Sequence, residues 1–351
     1  METRKEAAPA RAAATVAATA RRDADGIFHN PWPDSEPRAF REVLLWSAQR
    51  EMQRLPKDPP RGSFPTATPT ISYPRASDSY FSATWIGHSS ALLQLGGINV
   101  LTDPVFSQRA SPVQWAGPRR IMDPALGIDA LPPIDVVLLS HNHYDHLDEH
   151  AVRRIAKAHP HVTWIVPLGL TAYIRNWGLR NIIELDWWQE TSVIGLRVTA
   201  TPARHFSARG VLDRNKSLWC GFAFERHGRR GYFAGDTAYH PEFGAIGARF
   251  GPFDFVMIPI GAYDPRWFMN TMHVNPEEAV QIYQDLVSAH PDNPHPLMLA
   301  IHWGTFRLTD EAMDEPPRRA AARWAAVGLD ADRLWIARFG ETRVVQPSTA
   351  L

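Results

Sequence analysis

Four metal-seeking side chains stand at the end of one apolar run. Asp135-Val136-Val137-Leu138-Leu139 is followed by Ser140 and then by His141, Asn142, His143, Tyr144, Asp145 and His146. A run this short and this apolar reads as a strand buried on both faces, which places the cluster where a core strand opens into a loop. In an extended chain residues 141, 143 and 145 point the same way. A turn at 145–146 brings His146 around toward a second ion. Imidazole and carboxylate suit zinc, and also iron, manganese or nickel. A lone histidine is ordinarily a hydrogen-bonded core or surface residue, but four potential ligands at one strand end argue for a metal site.

The arrangement of strand and then polar residue recurs. His205 closes a strand over 193–201 through Pro202-Ala203-Arg204. Asp236 follows a hairpin of strands 218–225 and 230–234, which turns at His227-Gly228. Gly235 leaves room there for close backbone approach, so Asp236 can bridge two cations. His302 follows the apolar run 297–301. The single cysteine, Cys220, can form no internal disulfide, so His, Asp and Glu must hold any transition metal.

Between these points the chain alternates hairpins, strands and helices. Residues 38–54 suit one helix, with Leu44, Leu45, Trp46, Met52 and Leu55 as its apolar face. A Pro-rich stretch leads to strands over 82–85, 91–95 and 98–101, the last two joined by Gly96-Gly97. Residues 106–133 read as loop. Asp148 caps a helix to about 158, a strand follows over 163–166, then a helical stretch over 168–177 and a strand over 182–185. Residues 255–260 form another strand. Asn275-Pro276-Glu277-Glu278 starts a helix to about 288, with an Asn cap, a first-position Pro and a Glu three residues after the cap. Two similar halves, helices outside and sheets inside, make one α/β domain with its polar clusters on one rim. The expected division is a disordered tail over 1–26, a helix and Pro-rich arm over 27–75 packed on the core, and the main domain over 76–351.

Lys and Arg total 37 and Asp and Glu total 37, so no broad basic field invites nucleic acid. No apolar run reaches the roughly 20 residues of a membrane span. The first residues lack the apolar core of a secretory signal, and Glu2, Glu6, Asp23 and Asp25 speak against a transit segment. A cytoplasmic location is the expectation.

His141, His143, Asp145 and His146, followed in order by His205, Asp236 and His302, resemble the metallo-β-lactamase superfamily. Further motifs resemble the N-acylphosphatidylethanolamine-hydrolysing phospholipases D. They are Trp85-Ile86-Gly87-His88-Ser89-Ser90, Leu101-Thr102-Asp103-Pro104, Gly261-Ala262-Tyr263-Asp264-Pro265-Arg266-Trp267-Phe268-Met269 and Ile301-His302-Trp303-Gly304. The likeness runs from about residue 27 to the C-terminus. At Phe339, before Gly340-Glu341, the lipid-cleaving relatives are expected to carry a His.

The resemblance implies an αββα four-layer sandwich and a dinuclear zinc hydrolase. His141, His143 and His205 would hold one zinc, Asp145, His146 and His302 the other, and Asp236 would bridge both. Asp145, Asp236 and His273 are the implied catalytic residues. His273 precedes a helix N-terminus and could meet a phosphate there. His88 and Asp103 would orient the ligand imidazoles. Tyr263, Arg266 and Trp267 would line the substrate channel. Phe106, Trp115, Trp267 and Phe268 would be exposed apolar residues near its mouth. The implied activity is cleavage of N-acylphosphatidylethanolamine to N-acylethanolamine and phosphatidic acid, with peripheral membrane contact and homodimerisation. A lactonase or small-ester or phosphoester hydrolase of the same fold is the alternative. A non-catalytic metal-binding protein is a third reading, which the full ligand set disfavours.

Overall fold

Alternate residues of single strands enter different cores, and this builds the layers. The computed structural model describes residues 19–347, apart from 36, 37, 39, 211 and 294. In it β1 (Arg21–Arg22) pairs with β2 (Phe28–His29), and α1 (Phe40–Met52) follows. β3 (Phe81–Gly87), β4 (Ser90–Leu95) and β5 (Ile98–Thr102) form antiparallel neighbours. β6 (Val136–Leu138), β7 (Thr163–Pro167) and β8 (Asn181–Leu185) extend that sheet in parallel, connected through α2 (Glu149–Ala158) and α3 (Thr171–Ile174). Val136 and Leu138 point into the core between the sheets, whereas Val137 and Leu139 point into a second core beneath α2. Ile165 splits from Trp164 and Val166 in the same way. Two-sided burial is why these strands read as unbroken apolar runs.

The second sheet repeats the plan. β9 (Glu190–Val193), β10 (Leu196–Thr201), β11 (Gly221–Arg226) and β12 (Arg229–Phe233) are antiparallel. β13 (Phe255–Pro259), β14 (Leu297–Ile301) and β15 (Leu334–Trp335) then join in parallel. α4 (Phe243–Phe250), α5 (Arg266–Met269), α6 (Pro276–Val287) and α7 (Glu315–Ala326) lie in its connections. β16 (Thr342–Val344) returns to the first sheet beside β3, so each sheet has seven strands. α6 buries Val280, Tyr283 and Leu286 on this sheet and packs between α4 and α7. The result is the expected four-layer sandwich, helix, sheet, sheet, helix.

Local chemistry sets the element ends. The Asp148 carboxylate accepts from the amides of His150 and Ala151 and so starts α2. Asn275 and Glu278 form a reciprocal capping box with Pro276 at the first position of α6.

Four expectations change. The strand read over 193–201 is two strands, because Ile194 and Gly195 take positive φ, 46° and 78°, and turn the chain. The helix read over 168–177 contracts to α3. Within the tail expected over 1–26, Asp23 accepts from the amides of Asp25 and Ile27 and closes the β1–β2 turn, so residues 21–26 are structured; residues 1–18 lie outside the described residues. On α1, Val43 and Trp46 face inward against Phe268, Met269 and Met272, while Leu44, Leu45 and Met52 face out. None of the helices of the described residues is long and apolar enough to cross a membrane.

Candidate metal centre and its cavity

Each cluster residue is delivered by the end of a strand on one rim. His141 to His146 follow β6, His205 follows β10, Asp236 follows β12 and His302 follows β14, while His88 lies in the β3–β4 turn and Asp103 just after β5. Gly235 makes the approach of Asp236 sterically feasible. Its φ is 61°, and a Cβ there would lie 2.7 Å from Ser140 Cβ and 2.8 Å from the Cys220 carbonyl oxygen. Three non-glycine residues of the site also adopt left-handed backbone, His88 at φ 55°, Asp103 at 29° and His302 at 62°. Such strain persists only where the surroundings enforce it.

The sequence-predicted ligands converge. Asp236 Oδ2 lies 3.1 Å from His146 Nε2 and 3.0 Å from His302 Nε2. It is 3.9 Å from the Nε2 atoms of both His141 and His205. Asp145 Oδ2 lies 3.4 Å from His146 Nε2 and 3.3 Å from His302 Nε2. On the other side His143 Nδ1 is 2.9 Å from His141 Nε2 and 3.2 Å from His205 Nε2. Asp236 thus stands between a three-histidine group and an Asp-His-His group.

Hydrogen bonds behind the rings fix which nitrogen faces inward. His205 Nδ1 donates to the Met272 carbonyl at 2.8 Å, so Nε2 keeps its lone pair. Ser140 donates its amide and its hydroxyl to Asp103, at 2.7 and 2.5 Å. Its only hydroxyl proton being used, Ser140 Oγ accepts from His141 Nδ1 at 2.9 Å, which leaves His141 Nε2 as a lone pair. Asp103 Oδ2 also takes the His146 Nδ1 proton at 2.6 Å. One buried carboxylate therefore sets the tautomers of two histidines in opposite halves of the cluster. His88 acts differently from the expectation, since its Nε2 meets the Asp145 carboxylate at 3.0 Å and not an imidazole.

Electrostatics match a cation cradle. Burial, reinforced by neighbouring histidines, holds His141 well below the ordinary range and lowers His143 to about 3. Burial lowers His205 to about 4. At His302 burial is outweighed by Asp236 and Asp145, and the group rises to about 9. His146 likewise rises, because Asp236, Asp145 and Asp103 outweigh its burial. Both Asp145 and Asp236 stay well below the carboxylate range despite burial, held there by His146 and His302. Among the buried polar atoms, His146 Nε2 and Asp236 Oδ1 have no hydrogen-bond partner. Inward lone pairs in van der Waals contact, two ionised carboxylates and orphaned inward atoms fit metal ions bound at this place.

A cavity of 390 Å³ opens over the cluster. His143, Asp145, Asp236 and His273 line it beside the apolar walls of Val43, Trp46, Phe206, Phe268, Met272 and Leu308. His273 Nδ1 is 3.9 Å from Asp236 Oδ2 and has no hydrogen-bond partner. The residues expected to line the channel do not. Tyr263 is buried and donates to Glu315 at 2.7 Å, and Arg266 makes a two-pronged ion pair with Glu278 at 2.9 and 2.8 Å. Trp267 lies outside the lining, and Phe268 is buried as a wall while Trp115 is exposed. Phe106 is partly buried against the core beneath α2. Phe339, the position where a His was expected, packs on Trp85 and Trp303 away from the cavity. The α1 wall and Phe206 escaped sequence reading. Their signal was the apolar pair Val43 and Trp46, three apart on α1, whose neighbours Leu44 and Leu45 masked it.

Comparison with known proteins agrees with this geometry. The sequence model described as a beta-lactamase superfamily domain matches residues 98–303. An uncharacterized protein of Mycobacterium tuberculosis is 42% identical over 85% of this chain and 78% of its own length. The N-acyl-phosphatidylethanolamine-hydrolyzing phospholipase D 1 of Caenorhabditis elegans is 42% identical over 68% of this chain and 68% of its own. Among solved structures, a possible metal-dependent hydrolase from Veillonella parvula aligns with a TM-score of 0.59 at 16% identity, over 76% of this chain and all of that one.

Proposed function

The chain belongs to the metallo-β-lactamase superfamily of hydrolases, and from that premise we propose that it is a dinuclear zinc phosphodiesterase of phospholipase D type. Its substrate would be an N-acylated ethanolamine phospholipid, and its products an N-acylethanolamine and phosphatidic acid. The observation that carries this reading is the cavity itself: a polar floor of histidines and carboxylates under walls of Trp46, Phe206, Phe268 and Met272. Such a space suits a phosphate at the floor and hydrocarbon above. The C. elegans relative is named for that lipid.

His141, His143 and His205 would hold one ion, Asp145, His146 and His302 the other, with Asp236 shared. Ions so paired polarise phosphoryl oxygens and supply a water nucleophile at neutral pH. Zinc suits this nitrogen-and-oxygen set best; iron, manganese and nickel are its competitors. His273 faces the floor as a neutral imidazole, because burial keeps it well below its ordinary value despite Asp236. It would hydrogen-bond the phosphate. α1 would seat the mouth on a lipid surface, since Leu44 and Leu45 are 54% and 51% exposed directly beside the wall residues Val43 and Trp46.

The test is incubation of metal-replete protein with N-acylphosphatidylethanolamine in vesicles and with a lactone panel, read by mass spectrometry. Release of N-acylethanolamine and phosphatidic acid, lost in Asp236→Asn, is expected. Lactone opening with no lipid cleavage would replace this reading.

A further inference from the structure

The cavity has two guanidinium groups in its lining, Arg38 and Arg214. Arg38 is held and partly neutralised. It donates to the Phe268 carbonyl at 2.8 Å and to Asn270 Oδ1 at 2.6 Å, and it stands 3.5 Å from Glu42. Arg214 is different. Its Nη1 donates to the Arg38 carbonyl at 3.3 Å, and its Nε is buried with no acceptor. No carboxylate among the described residues pairs with it, and burial alone lowers it from its ordinary value. Among the described residues the carboxylates in the cavity lining are Asp145 and Asp236, both committed to the histidine cluster.

Arg214 sits one aromatic ring from that cluster. Its guanidinium lies 5.0 Å from the Phe206 ring centre, and Phe206 packs edge-on against His143 at 4.4 Å. A half-buried cation with no counter-ion among the described residues is unfavourable unless something else uses it.

Resting on the phosphodiesterase reading, we propose that Arg214 determines headgroup specificity, admitting a neutral N-acyl amide and excluding a free ammonium. In an N-acylated ethanolamine headgroup six bonds separate phosphorus from the amide carbonyl oxygen, a summed length of roughly 8.5 Å. With the phosphate at the histidine floor, that carbonyl would extend toward the guanidinium of Arg214, which lines the same cavity. In the unacylated lipid the same nitrogen is an ammonium. It would meet the half-buried guanidinium, with no free carboxylate among the described lining residues to receive it. Like charges there repel far more strongly than in water. One residue thus attracts the right headgroup and repels the wrong one.

The experiment uses non-hydrolysable dihexanoyl phosphonates carrying either an N-hexanoyl amide or a free ammonium. Binding to metal-loaded protein is measured by calorimetry. Wild type should prefer the amide by about tenfold or more. Arg214→Lys should keep a preference, because it keeps the charge. Arg214→Gln should bring the ratio toward one, and Arg214→Glu should move it further toward the ammonium. Circular dichroism checks that each variant folds, with Arg214→Met as the substitute for a variant that does not. An equal ratio in wild type, or an unchanged ratio in the Gln and Glu variants, overturns the proposal. Failure of wild type to cleave the hydrolysable amide lipid would instead refute the phosphodiesterase reading, while the binding ratios still report on Arg214.

Discussion

Asp103→Asn should disable the metal centre without touching a single ligand. Asp103 accepts three hydrogen bonds: the Ser140 amide on Oδ1, and the Ser140 hydroxyl and His146 Nδ1 on Oδ2. An asparagine of the same shape can satisfy only part of this. With its oxygen in the Oδ2 position, its amide nitrogen confronts the Ser140 N–H, donor against donor. With the amide nitrogen there instead, it donates to His146 Nδ1 and drives the proton onto Nε2, the atom that faces Asp236. The Ser140 hydroxyl is then free to donate to His141 Nδ1 and misplaces that proton as well. Partners of this kind behind metal-bound histidines are worth 10- to 100-fold in affinity, roughly 1.4 to 2.8 kcal/mol. Because one carboxylate serves a histidine in each half, both ions should weaken together. Competition against a fluorescent zinc chelator measures this directly. Two ions held by Asp103→Asn with wild-type affinity would refute the tautomer reasoning.

Three further outcomes follow from particular contacts. Gly235→Ala, with a Cβ 2.7 Å from Ser140 Cβ at a φ of 61°, should lower stability by about 3 kcal/mol, seen as a lower Tm in calorimetry. In metal-free protein His302 is raised to about 9 and is protonated at pH 7, so metal uptake should release protons and tighten as pH rises toward 9. The same raised value stabilises the metal-free fold fully below about 6.5, and that contribution fades as pH climbs through about 9; titration calorimetry in two buffers and melts against pH check both. The double change Leu44→Glu and Leu45→Glu should weaken vesicle binding in sedimentation while leaving Tm nearly unchanged, because both side chains are exposed.

Much of this molecule can be read from its sequence, for identifiable reasons. Strands such as β6 and β14 are buried on both faces, so they appear as short apolar blocks, and each ligand falls just after one. Asp148 and Asn275 announce helices because their side chains accept backbone amides locally. Other elements carry weak local signals. α4 contains Gly244 and Gly247 within eight residues, so its composition does not favour a helix. Gly247 is there for packing: a Cβ would lie 2.2 Å from the Leu286 carbonyl oxygen on α6. The cavity walls are less legible still. Trp46, Phe206 with Arg214, and Met272 come from three separate segments, and no spacing rule connects them. The motif from Gly261 to Met269 shaped the site indirectly. Its Arg266 anchors α5 to Glu278 on α6, and this sets Phe268 and Met269 into the wall while Arg266 itself stays out of it.

The most direct test of a dinuclear centre is elemental analysis of the purified, desalted protein beside a quantitative protein assay. Close to two ions per chain, chiefly zinc, is the expected result. Well under two ions per chain after zinc loading would contradict a centre in which Asp236 is shared between both groups of ligands.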